Sequence, residues 1–143
     1  MKGVNTVMAA IEEIIREEAN GTLSFGNYKL PQKEKAEDFR HAGDLYKVKT
    51  FSTMTKLEKN GLFLYESVPG TSVTEFLEDE NGVVFKVESD QDAQITVGME
   101  EDKEYTITVA GKDIGKLKSS PSGKITISVE LADAGIVEVK ISK

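Results

Sequence analysis

The chain has 143 residues, of which 38% are hydrophobic and 30% charged, and its formal net charge is -7. That length and balance suit one folded domain that buries a core without disulfides or metals, and no tract is polar and repetitive enough to read as disordered. Arg16 and Arg40 are the only arginines and cysteine is absent, which excludes a basic stripe for nucleic acid, disfavours an anionic membrane surface and removes thiolate chemistry altogether.

Val4, Val7, Met8, Ile11, Ile14 and Ile15 recur at intervals of three and four, and this spacing predicts an amphipathic helix over 4–19. Asn5 or Thr6 would cap its start, Glu12, Glu13, Glu17 and Glu18 would line its wet face, and Asn20-Gly21 would end it. The apolar stretch is cut by Glu12 and Glu13 before it reaches the length of a secretion signal, so a cytoplasmic protein is expected. No apolar run approaches the roughly 18 residues of a membrane-spanning helix. A broad apolar stripe on a terminal arm either docks on the chain's own β body or meets another subunit or surface, and an oligomer interface made of those six residues is the expectation. Residues 1–21 would then be the arm and 22–143 a β domain.

From Thr22 onward, short runs rich in Val, Ile, Thr, Tyr and Phe alternate with turn residues, the pattern of strands. Asn60-Gly61 between TMTKLEK and LFLYES, and Asn81-Gly82 between VTEFLED and VVFKVES, predict two hairpins with type I′ turns. PQKEKAEDFRHAG, residues 31–43, reads as a surface loop or short helical turn. Further strands are expected at Ile95 and Val97, at Tyr105, Ile107 and Val109, at Ile125 through Leu131, and at Val137, Val139 and Ile141. Gly111 and the run Ser120-Pro121-Ser122-Gly123 supply turns between them. The fold expected is mainly β, a sandwich of Ig-like or jelly-roll type with one N-terminal helix.

GMEEDKEYTITVAGKDIGKLKSSPSGKITISVEL, within Asp92 to Lys143, resembles the small β-sandwich modules appended to some polysaccharide-degrading enzymes. The resemblance implies a sandwich more than an activity. The middle stretch, GDLYKVKTF with KLEKNGLFLYESVPGT, is similar to short clostridial-type proteins labelled endosialidase. Sialidases as a class hold the substrate carboxylate with three arginines and carry repeated Asp-box turns on a propeller. Two arginines and this number of strands do not supply that site within one chain.

Residues able to do chemistry are sparse. His41 is the one histidine, with Asp38 and Asp44 as local carboxylates that could orient its ring, and it reads as a solvated surface residue. Glu78, Asp79, Glu80, Asn81 and Gly82, with Asp90 and Asp92, have a faint calcium-loop look but miss the EF-hand spacing, so a hairpin turn is the better reading. Tyr28, Tyr46, Tyr65, Tyr105 and the six phenylalanines read as core, since tryptophan, the best sugar-stacking residue, is missing. Lys112 and Lys116 flank a turn and guard a strand edge. The function expected is a non-catalytic structural protein, without cofactor or metal, that forms homo-oligomers through its N-terminal helix. The alternative is a carbohydrate-binding accessory module, and an enzyme using His41 with a carboxylate ranks third.

Overall fold

Short β-branched and aromatic runs broken by turn residues favour strands over helices. The computed structural model describes residues 11–143 and contains no helix among them, hence none long and apolar enough to cross a membrane. The chain passes through β1 (Ile15–Glu17), β2 (Leu23–Phe25), β3 (Glu34–His41), β4 (Asp44–Thr50), β5 (Thr55–Lys59) and β6 (Leu62–Val68). It continues through β7 (Ser72–Asp79), β8 (Gly82–Glu88), β9 (Ala93–Gly98) and β10 (Glu104–Val109). β11 (Lys112–Lys118), β12 (Lys124–Val129) and β13 (Val137–Ser142) follow. These form two antiparallel sheets, one in the order β1-β2-β7-β8-β13-β10-β11 and one in the order β12-β9-β6-β5-β4-β3.

Because side chains alternate across a strand, one face of each sheet can be apolar throughout. Val83, Phe85 and Val87 of β8 and Val137, Val139 and Ile141 of β13 share one hydrophobic cluster with Ile95 and Val97 of β9 and Ile125, Ile127 and Val129 of β12. At its centre the Phe25 ring meets Tyr65 edge-on at 5.2 Å and Phe76 at 5.7 Å, while Phe76 stacks on Phe85 at 5.6 Å.

The turn chemistry follows the sequence in most places. Asn60 and Gly61 have φ of 52° and 79°, the left-handed pair a type I′ turn needs between β5 and β6. Ala42-Gly43 and Ala110-Gly111 make the same turn, joining β3 to β4 and β10 to β11. The hairpin expected at Asn81-Gly82 is present, but Glu80 and Asn81 form its tip and Gly82 already belongs to β8, opposite Asp79. The Asp79 carboxylate accepts the N–H groups of Asn81 and Gly82 at 2.8 and 3.1 Å and so holds the turn. Only glycine fits at position 82, where a Cβ would lie 1.9 Å from the Ile141 carbonyl oxygen of the adjoining strand.

Two expectations need correction. Residues 31–43 are not a loop or helical turn, because β3 occupies most of them as an edge strand whose exposed faces carry no alternation. The described part of the expected helix is not helical either. Ile11 to Ile14 form a turn closed by the Ile14 N–H on the Ile11 carbonyl at 3.0 Å, and Ile15–Glu17 pairs with β2. Pairing wins because a lone amphipathic helix is marginal in water, whereas the turn and β1 carry Ile14 and Ile15 into the common core. Of the expected interface residues, Ile11, Ile14 and Ile15 are therefore 1%, 5% and 4% exposed inside this chain's own fold. Val4, Val7 and Met8 lie outside the described residues.

A polar network ties this first strand down. The Ser24 hydroxyl donates to Glu18 Oε2, Arg16 Nε donates to the same oxygen at 2.9 Å, and the Glu75 N–H donates to Ser24 Oγ at 3.2 Å, linking the β1, β2 and β7 strands. The Ser24 hydrogen bond, opposed by partial burial and reinforced by Arg16, holds the Glu18 carboxyl below its ordinary value of 4.5. A depressed pKa means the folded state binds this proton more weakly than the unfolded chain. The stability it gives is thus complete above 4.5 and lost as pH falls through the folded pKa. Glu18→Gln should cost about 1 kcal/mol at pH 7 and flatten the decline in stability on acidification. Urea titrations at a series of pH values check this, and identical pH slopes for both proteins would refute it.

Candidate functional site

Two features of this fold are open to a partner: a cleft at one end of the sheets, and the free strand edges. The cleft lies among the β5–β6 and β7–β8 hairpin tips, the end of β9 and the turn that enters β12, and encloses about 620 Å³. Its apolar side is built from Leu62, Phe63, Val83 and Met99, with Leu62 72% exposed. Four apolar residues in succession, Leu62 to Tyr65, exceed what a strand with one buried face can hide, and a register shift after Leu57 places Leu64 and Tyr65 both inside. Leu62 and Phe63 are left for the cleft.

The rim is polar and its cations are engaged. Lys59 Nζ lies 3.0 Å from Glu78 Oε1 and 3.7 Å from Asp44 Oδ2. Burial works against the Lys59 ammonium, but the Glu78 hydrogen bond and the surrounding negative charge outweigh it and raise its pKa above the usual lysine value. Lys124 Nζ sits 4.3 Å from the centre of the Phe63 ring. Outside the lining, Lys143 Nζ is 2.6 Å from Glu100 Oε2, a contact that lowers the Glu100 pKa and raises that of Lys143. A cleft with an apolar wall and with Glu78, Asp79, Glu80 and Glu100 in its lining is suited to a neutral, polar-and-apolar ligand, not to a free anion.

The sheets leave four edges: β1 and β11 on one sheet, β12 and β3 on the other. β1 contacts β3, and residues 119–123 join β11 of one sheet to β12 of the other. β3 is blunted by Glu34, Lys35 and Glu37 and by a break in register around Asp38, whose φ is 56°. β11 is exposed along its whole length and carries Lys112, Lys116, Lys118 and a bulge beside Gly115, yet leaves Ile114 and Leu117 55% and 41% exposed. β12 pairs with β9 without any shift and carries a charge only at Lys124.

His41, expected to be solvated, is 9% exposed and 2.6 Å from Glu17 Oε2 through Nδ1, with the Tyr46 ring beside it. Asp44 is its cross-strand neighbour in register, but its carboxylate instead accepts from Asn60 Nδ2 at 2.9 Å and lies near Lys59. Asp38 sits at the bulge in β3. Spacing alone does not reveal Glu17 as the partner of His41, because the residues of β1 also fit a helical period. The acidic run from Glu78 is the β7–β8 hairpin tip, and Asp92 caps the backbone of Leu131 and Ala132 at 2.9 and 3.0 Å. Among the described residues no group of three or more histidine or acidic side chains is placed to hold a metal ion. No family model matches this chain, and comparison with curated proteins and with solved structures gives no significant match.

Proposed function

We propose that this chain is a β-sandwich module with a structural, non-catalytic role that assembles with copies of itself. The observation that carries this reading is that β11 ends one sheet as a strand exposed along its whole length, with Ile114 and Leu117 55% and 41% exposed on it. Exposed edges and apolar side chains in one place are the usual material of an interface. The assembly does not run through Ile14 and Ile15, which serve the protein's own core. Light scattering on the full chain over a concentration series is expected to show an oligomer whose share grows with concentration. A monomer persisting to roughly 100 μM, above the Kd of a weak specific contact, overturns the reading.

The cleft supports a second reading, a glycan-binding accessory module, because the partly exposed Phe63 ring adjoins Asn60, Glu78 and Glu80, which can bond sugar hydroxyls. A glycan array should then give a hit that weakens about tenfold in Phe63→Ala. No binding to any glycan removes this reading.

A further inference from the structure

The cleft and the point where the chain enters the fold lie at opposite ends of the sheets. Ile15 pairs with Phe25 and Phe25 with Val73, near the start of β7, whereas the cleft takes the other end of that strand, from Glu78 on. One step further from the cleft the Gly26 N–H donates to the Ile14 carbonyl at 2.9 Å, and Ile14 closes its turn on Ile11, which is 1% exposed. Five residue steps along β7 and two strands across the sheet put Ile14 about 20 Å from the cleft. A turn spans less than about 7 Å and a chain covers at most about 3.5 Å per residue. Met8 of the same chain therefore falls short of the cleft, and Val7 meets only its rim.

The cleft is nevertheless complementary to that segment. Its wall is Leu62, Phe63, Val83 and Met99, and its lining sets four carboxylates against Lys59 and Lys124. Glu78 is paired with Lys59, Glu100 with Lys143, and Asp79 caps the hairpin turn. Glu80 is thus left on the rim without an ion pair among the described residues. Residues 1–10, MKGVNTVMAA, bring Val4, Val7 and Met8 for the wall and Lys2, their only charged residue, for the rim. We infer that the cleft receives residues 1–10 of a second copy. Each copy then offers its segment at one end and its cleft at the other, a heterologous contact that repeats head to tail and lengthens with concentration.

This inference rests on the self-assembly reading and names a contact for it. Val7→Asp combined with Met8→Asp spoils the segment and leaves the cleft, whereas Leu62→Asp spoils the cleft and leaves the segment. Leu62 is 72% exposed, so its replacement is expected to keep the thermal melt near that of the wild type. Each variant alone should lose about a hundredfold in self-association by sedimentation, because a carboxylate is then pressed into an apolar contact. Mixed one to one, the two variants should form a pair that does not grow, since one intact segment meets one intact cleft. A synthetic peptide of residues 1–10 should bind the Val7→Asp, Met8→Asp protein and bind Leu62→Asp at least about tenfold more weakly. An oligomer indifferent to both variants, or variants that fail to complement one another, overturns this contact and leaves self-assembly standing. A monomeric wild type overturns both, whether its cleft is filled by the same chain or by a glycan. If either variant fails to fold the peptide decides alone: it should dissociate the wild-type oligomer, and no dissociation at about 1 mM overturns the contact.

Discussion

Phe25→Ala is expected to destabilise the protein by about 3–5 kcal/mol, the largest effect of any single truncation in this core. Phe25 is fully buried on a strand of three residues, with Ile15 opposite it on one side and Val73 on the other. Its ring fills the space between Tyr65 of one sheet and Phe76 of the other. Removing it opens a hole bounded by both sheets, and neither can close in without breaking the β2–β7 pairing. Phe25→Leu keeps most of the volume and should cost about 1–1.5 kcal/mol. Urea denaturation of the three proteins measures this, and a loss below about 1 kcal/mol for the alanine variant would show that the ring is not packed as described.

Thr71→Val should cost about 2–3 kcal/mol although it changes almost no volume. Thr71 Oγ1 lies 2.8 Å from the Tyr65 hydroxyl and 2.8 Å from Ser67 Oγ, and all three residues are fully buried. Burial is also what pushes the Tyr65 phenol well above its ordinary pKa, so the hydroxyl stays protonated and needs a partner. Valine leaves that hydroxyl and Ser67 short of a bond in an apolar interior. Tyr65→Phe in the Thr71→Val background should then recover about 1 kcal/mol, whereas Tyr65→Phe alone destabilises. Strict additivity across this cycle would rule out the Tyr65–Thr71 bond as the source of the effect.

The same network explains how one end of the fold is fastened. Thr55 Oγ1 donates to the Thr71 carbonyl at 2.8 Å, accepts the Thr71 N–H at 3.1 Å, and meets Thr50 Oγ1 at 2.7 Å. Thr50 Oγ1 in turn accepts the Asn27 N–H at 2.9 Å. Asn27, the β4–β5 connection and the segment from Tyr65 to Thr71 thus share a few hydroxyls, which pattern reading has no means of pairing.

Strands with one buried and one wet face were legible, because burial imposes alternation on them. Ile95 and Val97, Tyr105 and Ile107, Ile125 and Ile127, and Val139 and Ile141 all face the core as their spacing implied. Strands without such a face were not legible. β3 and β11 are edges wetted along nearly all of their length, so charge and lysine hid them. The N-terminal isoleucines failed for a different reason. Ile11, Ile14 and Ile15 satisfy a three-and-four rule equally well as a turn followed by a strand, and only the presence of β2 beside them decides between the two. Of the candidate site, His41 and Asp44 were visible as residues but not as neighbours of Glu17 and Asn60, since those contacts depend on which strands are adjacent. β12 is visible in its alternation, yet its position at a margin depends on strand order.

β13 comes after every other strand in the chain, yet it lies inside its sheet, between β8 and β10. During synthesis, β8 and β10 must leave the ribosome with facing edges open until Val137 to Ser142 emerge to close the gap. The hairpins β7–β8 and β10–β11 can form early and locally, but the seven-stranded sheet is completed only by these last residues. A nascent chain stalled short of Val137 would leave the backbone N–H and C=O groups along the facing edges of β8 and β10 unpaired and the core short of Val137, Val139 and Ile141, a state that chaperones bind and that the finished protein would not present.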